Sequence, residues 1–565
     1  GAEPSAEITA LYDEIRATGR PHRPQPDVTP VTPGPSPTPT RGPAFLDEEA
    51  EPVVTERPVF VGREPELARL EGYLDAVLAG RGQVAFIVGG PGRGKTALMR
   101  VFAERAMAAH PDLLIINGTC NATSGVGDTY LPFRESLAML TGALENRWRA
   151  GRISREHAQR LWSALPATLS ALVAHGPYVI DTIVHGATVV AHAEQAGLGH
   201  ADWMPELRTL ADRIAISSLQ QQALFQQVTN TLHAVATDHP LVLMLDDLQW
   251  ADQGSIGLLH HLGRRLAGNR ILIVGAYRPE EVATLKPDAQ TAPTPLIKVL
   301  NELKRQYGEV WVDLQAADQA RGAQFVDALL ATEQNRLTET FNTSLYARTG
   351  GHPLFTVELL RAMQARGGLK RAADGAWVAE ESLDWDTLPA RVEAVIAERL
   401  SRLSPQQRDM LTVASVEGET FTTQVLAQVL KVDERTVLRI LDHTLGDQHR
   451  LVREQDEIRV DGRYLNRFAF AHALFREQLY REMSRGEQRL LHGEVGASLE
   501  ALYGQDDDRM INQLAHHFDR AGRLEKAIEY AVRAGERARQ SYANDQARQY
   551  YERALAHLET VRTSD

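Results

Sequence analysis

The chain has 565 residues, more than one hydrophobic core holds, and on the order of three to five domains are expected. Hydrophobic residues make up 43% and charged residues 24%, ordinary values for a globular chain, and no stretch of about 18 uncharged apolar residues offers a membrane span. The formal net charge of −13 argues against a freestanding nucleic-acid binder, while the single cysteine, Cys120, excludes an internal disulfide or a cysteine metal cluster and fits a reducing cytoplasm.

Gly1 stands where a complete chain would carry Met, and no signal segment follows, so the start reads as that of a fragment. Residues 1–18 end in a short amphipathic helix with Ile8, Leu11, Tyr12 and Ile15 on one face. Residues 19–57 read as a linker: PHRPQPDVTPVTPGPSPTPTRGP is too rich in proline for helix or sheet and is expected to be extended and mobile. Residues 58–312 then alternate buried strands (QVAFIV, LLIING, LVLMLD, ILIVGAY) with helical segments, which predicts an α/β domain with a parallel sheet flanked by helices. A long helical stretch, including an insertion around 143–215, interrupts it. Residues 313–388 read as helices. Residues 389–485 read as three or four helices, a hairpin (LVREQDEIRV, then RFAFAH) and a further helix, the order of a winged helix. Residues 486–565 are helical throughout; Ala527, Tyr530 and Ala534 recur in spacing as Ala547, Tyr550 and Ala554, which suits a TPR-like stack of hairpins.

The chemistry concentrates at strand ends. Gly89-Gly90-Pro91-Gly92-Arg93-Gly94-Lys95-Thr96 fits G-x-x-x-x-G-K-[ST] between a strand and a helix. The glycines let backbone N–H groups turn inward on phosphate oxygens, the helix start adds its positive dipole, Lys95 is placed for the β- and γ-phosphates, and Thr96 for Mg²⁺. LVLMLDD (241–247) is a buried strand ending in acids, which predicts Asp246 in the Mg²⁺ shell and Asp247 polarising the attacking water. Arg278, at the end of ILIVGAY, is either a γ-phosphate contact or a surface residue in the turn before Pro279. His260-His261 reads as a solvated helix face, and the segment DERTVLRILDHTL, mixed in charge, as a packing rather than a DNA-reading helix.

These motifs resemble those of the STAND family, the signal-transduction ATPases with numerous domains, and within it the bacterial MalT/LuxR-type branch of large regulators. PVFVGREPELARL (58–70) resembles the family's entry motif, which implies that Val61 and Arg63 border the adenine. With Gly90, Gly92, Arg93, Gly94, Lys95, Thr96 and Ala97, they would hold ATP or ADP. DDLQWAD (246–252) is similar to a family signature. TGGHPLFTVELL (349–360) resembles its G-x-P motif, where Pro353 would pack on the base. FAHALFREQLY (470–480) resembles the winged-helix segment whose histidine meets the nucleotide in NB-ARC proteins, here His472; the alternative for His472 is a partly buried residue packed against the wing. Residues 1–18 resemble the last helix of the bacterial transcriptional activation domain of SARP-type regulators.

The resemblance implies a slow ATPase used as a switch, closed with ADP and open with ATP, self-associating on activation. An inducer or protein would act through the C-terminal helices, and DNA would be reached only through an absent N-terminal domain. The alternative is a STAND effector or defence protein in which the same core drives an enzymatic or toxic domain. Limited proteolysis is expected to cut first within 19–57, and a linker that resists protease while 58–485 is cleaved would show that it docks on the body.

Overall fold

The computed structural model describes residues 43–46, 60–120, 129–212, 221–284, 294–380, 385, 392–460, 463–504 and 510–564. The expected activation-domain helix at 1–18 and most of the expected linker lie outside them. Within the linker one stretch needs correction. Ala44–Leu46 forms a short 3-10 turn, and Phe45 and Leu46 are buried in the same core as Trp148 and Trp162. The Phe45 ring centroid lies 5.7 Å from that of Trp148 and 6.4 Å from that of Trp162. Proline density excludes regular structure but says nothing of two adjacent apolar side chains that find a pocket, each worth about 1.5–3 kcal/mol on full burial.

Five strands, β1 (Gln83–Val88), β2 (Leu114–Thr119), β3 (Leu241–Asp246), β4 (Ile271–Tyr277) and β5 (Trp311–Asp313), form a sheet in the order β2-β3-β4-β1-β5. Every pairing in it is parallel. Both faces are covered, which is why the strands read as unbroken apolar runs. In β1, Val84 and Phe86 pack with Leu243 and Leu245 on one face, whereas Ala85 and Ile87 meet Leu98, Phe102 and Leu67 on the other. Helices Glu64–Leu78 and Lys95–Ala109 cover the second face. The first is covered by the helical stretch between β2 and β3, so the insertion expected around 143–215 shares the sheet's own core through Trp148, Leu161, Leu172 and Leu207.

Residues 313–388, expected as helices, begin with Leu314–Leu330, Glu339–Thr349 and Pro353–Ala365. They then depart from the expectation: β6 (Leu369–Arg371) and β7 (Trp377–Ala379) form an antiparallel hairpin. Strands of three residues are too short to display an alternating pattern. Side chains hold this one, with the Arg371 guanidinium 4.6 Å from the Trp377 ring centroid and Trp377 Nε1 donating to Glu333 at 2.7 Å.

Four α-helices, Val392–Ser401, Pro405–Glu417, Thr423–Leu430 and Glu434–Arg439, and a π-helical stretch, Ile440–Gln448, precede the antiparallel pair β9 (Val452–Val460) and β10 (Arg463–Phe470) among the described residues. The short β8 (Thr420–Thr422) adds a third strand beside β10, and the helix Ala473–Glu482 follows. The remaining helices, Arg485–Tyr503, Ile511–Ala521, Leu524–Gln540 and Asn544–Ser564, stack on one another. Ala527, Tyr530, Ala534, Ala547, Tyr550 and Ala554, singled out by their spacing, are all buried there. The last of these helices begins against the sheet domain: Thr129 donates to Gln546 at 2.7 Å, and Tyr542 joins the core of the sheet's first face. No helix among the described residues is long and apolar enough to cross a membrane.

Three histidines are enclosed where the helical stack begins. The Tyr480 hydroxyl lies 2.9 Å from His492 Nε2, His492 Nδ1 lies 2.9 Å from His517 Nδ1, and the His516 ring abuts both imidazoles. Burial, reinforced at His492 by Arg520 and at His516 first by His492 and then by nearby arginines, pushes His492 down to about 4 and His516 down to about 3, and burial holds His517 well below the usual imidazole range. As pH falls below about 6.5 the unfolded chain takes up protons that the folded chain refuses. Stability is therefore full above that pH and declines toward the folded values, by about 1.4 kcal/mol per pH unit for each fully coupled histidine. The unfolding temperature should fall between pH 6.5 and 4.5, and His516→Gln should flatten that fall. An equally steep fall in the variant would exclude His516 as a cause.

Candidate nucleotide site

The loop that follows β1 is shaped by its glycines. Gly92 and Gly94 hold φ of +74° and +85°, a region that side chains disfavour, and Gly94 is the residue from which the helix Lys95–Ala109 starts. The first N–H groups of that helix have no acceptor within it and form the positive end of its dipole. Lys95 is buried, and its Nζ donates to the carbonyl oxygens of Gly89 at 2.9 Å and Gly90 at 3.1 Å. Burial, and then the charge of Arg278, lower its pKa, so the ammonium sits where an anion is favoured. Gly90 is buried in the loop, and Ala97 follows Thr96 in the first turn of the helix.

β3 delivers the acids. The Thr96 hydroxyl donates to Asp246 Oδ2 at 2.7 Å, bringing a helix-start hydroxyl and a strand-end carboxylate together across 150 residues. Both are hard oxygen donors, and the pair suits Mg²⁺, which takes one or two protein oxygens and fills its octahedron with water and phosphate. Burial, and then the neighbouring Asp247, push Asp246 up to about 6. Asp247 adopts a left-handed backbone (φ 54°), which turns the chain sharply at the strand end. Gln249 fixes that turn: its Nε2 donates to Asp247 Oδ1 at 2.7 Å and its Oε1 accepts the Arg278 N–H at 3.0 Å. Asp252, the last acid of DDLQWAD, faces elsewhere; it caps the helix Gln253–Gly263 and accepts the Tyr130 N–H at 3.2 Å.

Arg278 is not a surface residue. Its side chain is 7% exposed, and its Nη1 donates to Glu281 at 2.7 Å and to Glu477, from the helix Ala473–Glu482, at 3.2 Å. Its Nε lies 3.7 Å from Asp247 Oδ1. Burial works against its charge, yet Asp247, Glu281 and Glu477 outweigh burial and raise its pKa. His472 caps that same helix, with Nδ1 accepting the Leu474 N–H at 3.1 Å. Burial, then the charges of Arg278, Lys95 and His352, push it down to about 3, so the imidazole is neutral and stands within the field of the P-loop lysine. Glu419, from the loop before β8, is pushed up to about 7 by burial and then by Asp247.

The helical domain closes the other side of the loop. Pro353 is the first residue of its helix, beside two residues that lie on the P-loop: His352 Nε2 is 3.1 Å from the Pro91 carbonyl oxygen, and the Leu354 N–H donates to that of Gly92 at 3.2 Å. A Cβ on Gly92 would come within 2.7 Å of Leu354 Cβ. Arg63 and Arg93 share one carboxylate, that of the buried Asp318 on the helix Leu314–Leu330. Val61 packs on the apolar cluster of this domain, next to Gly62, which approaches Phe325. The structure thus brings Lys95, Thr96, Asp246, Asp247, Arg278 and His472 together, while Arg63 and Arg93 join the helical domain through Asp318, Val61 packs on its apolar cluster and Pro353 lies between two residues that touch the P-loop. Sequence reading missed Gln249, Asp318, His352, Glu419 and Glu477. Gln249, His352 and Glu477 lie inside the motifs DDLQWAD, TGGHPLFTVELL and FAHALFREQLY, whereas Asp318 and Glu419 lie outside any motif.

Residues 59–274 match the family model described as an AAA ATPase domain. An uncharacterized protein of Rhizobium meliloti (strain 1021) is 26% identical over 506 residues, covering 88% of this chain and 42% of its own length. The chain thus spans less than half of that relative. Among solved structures, similarity is found to a signal transduction ATPase with numerous domains carrying a tetratricopeptide repeat sensor, from Pyrococcus horikoshii. The identity is 14% and the TM-score 0.42, with 91% of this chain and 60% of that one covered. The Orc1 protein of Aeropyrum pernix, solved in complex with DNA, matches at 15% identity and TM-score 0.26, over 75% of this chain and 93% of its own. The stretch that matches the AAA ATPase domain model carries the P-loop, the acids of β3 and most of β4.

Proposed function

We propose that the chain is the ATP-dependent switch core of a bacterial transcriptional regulator, a STAND ATPase closed around ADP and opened by ATP. The observation that supports this reading is that His472 and Glu477, from the segment read as a winged helix, stand beside Lys95 and Arg278. An enzyme built only for turnover has no need of a separate module that sets a neutral imidazole and a carboxylate beside Lys95 and Arg278. The contact between Gln546 and Thr129 adds a route by which the helical stack senses the state of the sheet domain.

In this reading the loop N–H groups and Lys95 hold the phosphates, while Val61, Arg63 and Pro353 border the base. Thr96 and Asp246 would hold Mg²⁺, whose chemistry there would be to screen the phosphate charge. Asp247 orients the attacking water and accepts its proton. Gln249 keeps that carboxylate on the strand end, and Arg278 answers the terminal phosphate. The pairing of Arg278 with three acids keeps it from that task in the closed form, which supports slow turnover. His472, with Nδ1 occupied by the Leu474 N–H, carries its proton on Nε2 and is a hydrogen-bond donor suited to a diphosphate. The N-terminal DNA-binding region, the inducer and self-association belong to the same proposal.

Denaturing the purified chain and identifying the released nucleotide is the direct test, with ADP expected. Lys95→Ala should abolish nucleotide binding while the unfolding temperature stays close to that of the parent, since the side chain meets only loop carbonyls; parental ATP affinity in this variant would refute the P-loop role. Asp247→Asn should retain ATP and slow hydrolysis at least tenfold, because an amide accepts no proton. Asp246→Asn should instead weaken binding only when Mg²⁺ is present. Equal effects of the two substitutions in both assays would refute the division of roles.

A further inference from the structure

Arg278 is buried, yet its hydrogen bonding is incomplete. Nη1 is shared between Glu281 and Glu477, whereas Nε has no hydrogen-bond partner among the described residues and looks across 3.7 Å at Asp247. A buried guanidinium with a donor left over is built to receive a further acceptor, and planar pairing of this kind favours carboxylate or phosphate oxygens. The residue lies at the C-terminal end of β4, one strand from the Asp246–Asp247 strand end and beside Lys95, where the last phosphate of a nucleotide on the P-loop would arrive.

Of the carboxylates around Arg278, Asp247 and Glu281 belong to its own domain and stay with it in any arrangement. Glu477 does not. It comes from the helix capped by His472, its second partner is the exposed Arg481 at 3.7 Å, and it reaches Arg278 only while the two modules are packed together. We infer that Glu477 sets the preference of the closed chain for a nucleoside diphosphate over a triphosphate, by holding the Arg278 guanidinium that a terminal phosphate would require. The inference rests on the nucleotide-switch reading above. A terminal phosphate entering the closed cleft meets the charge of Glu477 and an Arg278 already engaged. A diphosphate ends short of both. The preference and the closure therefore share one contact, and Glu477 is a positioning residue that acts through Arg278.

Glu477→Gln is isosteric and removes the charge. Dissociation constants for Mg²⁺–ADP and Mg²⁺–ATP are measured on the full 565-residue chain, stripped of nucleotide, for the parent and the variant. The ratio should move toward ATP by roughly tenfold, about 1.4 kcal/mol, at the lower end of what a charge-assisted hydrogen bond contributes. Glu477→Asp, which keeps the charge, should retain most of the parental ratio, and Arg481→Gln, which removes only the solvent-side pair, should leave it unchanged. A Glu477 that merely stabilises the fold would shift both constants together, and that result overturns the inference. A parent chain that binds neither nucleotide overturns the reading beneath it, and shows this before any variant is compared.

Discussion

A buried ammonium must be compensated, and at Lys95 the fold supplies only part of the compensation. Two carbonyl oxygens accept its hydrogen bonds, and the carboxylates of Asp246 and Asp247 act on it from a distance. The carboxylates have the opposite difficulty, since burial disfavours their charge and each raises the cost of the other. A phosphate chain with a divalent cation would answer both at once: oxygens for the lysine and the loop N–H groups, a metal for the acids. The neutrality of His472 follows from the same constraint. A third cation beside Lys95 and Arg278 is disfavoured, and the buried imidazole of His472 is held uncharged.

The helical domain is joined to this site by contacts with the P-loop itself. Leu354 and His352 rest against the carbonyls and the bare Cα of Gly92, while Asp318 ties the loop arginine Arg93 to Arg63 of the entry segment. Displacement of the loop by a ligand therefore moves the first residues of one helix and the carboxylate of another. Buried charge pairs of this kind add little net stability, because desolvation offsets most of their attraction, but breaking one leaves an uncompensated charge.

Much of this was legible in the residues because the signals were local. A parallel strand buried on both faces is a short apolar run, a phosphate loop is a spacing of glycines before a lysine, and the strand-end acids follow their strand directly; β1, β3 and β4 lie where such runs predict them. The hairpin β6–β7 was not legible, since three-residue strands carry no period and are held by a cation over an indole ring. Nor was the anchoring of Phe45 and Leu46, whose partners lie about a hundred residues on. At the site the residues that escaped notice act through distance in the sequence. Asp318 meets Arg93 across 225 residues and Glu477 meets Arg278 across 199, and a lone acid on an amphipathic helix looks the same whether it faces solvent or a guanidinium.

The strand order has a kinetic consequence. β1, which carries the P-loop, pairs with β4 and β5, and about 180 residues separate the end of β1 from the start of β4. At roughly 5–20 residues per second of synthesis, the nascent strand waits about 10–40 s before its neighbour exists. During that interval Val84, Phe86 and Ile87 have no sheet to enter, while the intervening helices, rich in local contacts, form early. β4, β5 and the helix Pro295–Tyr307, which finally flank β1, all come later in the chain than those intervening helices.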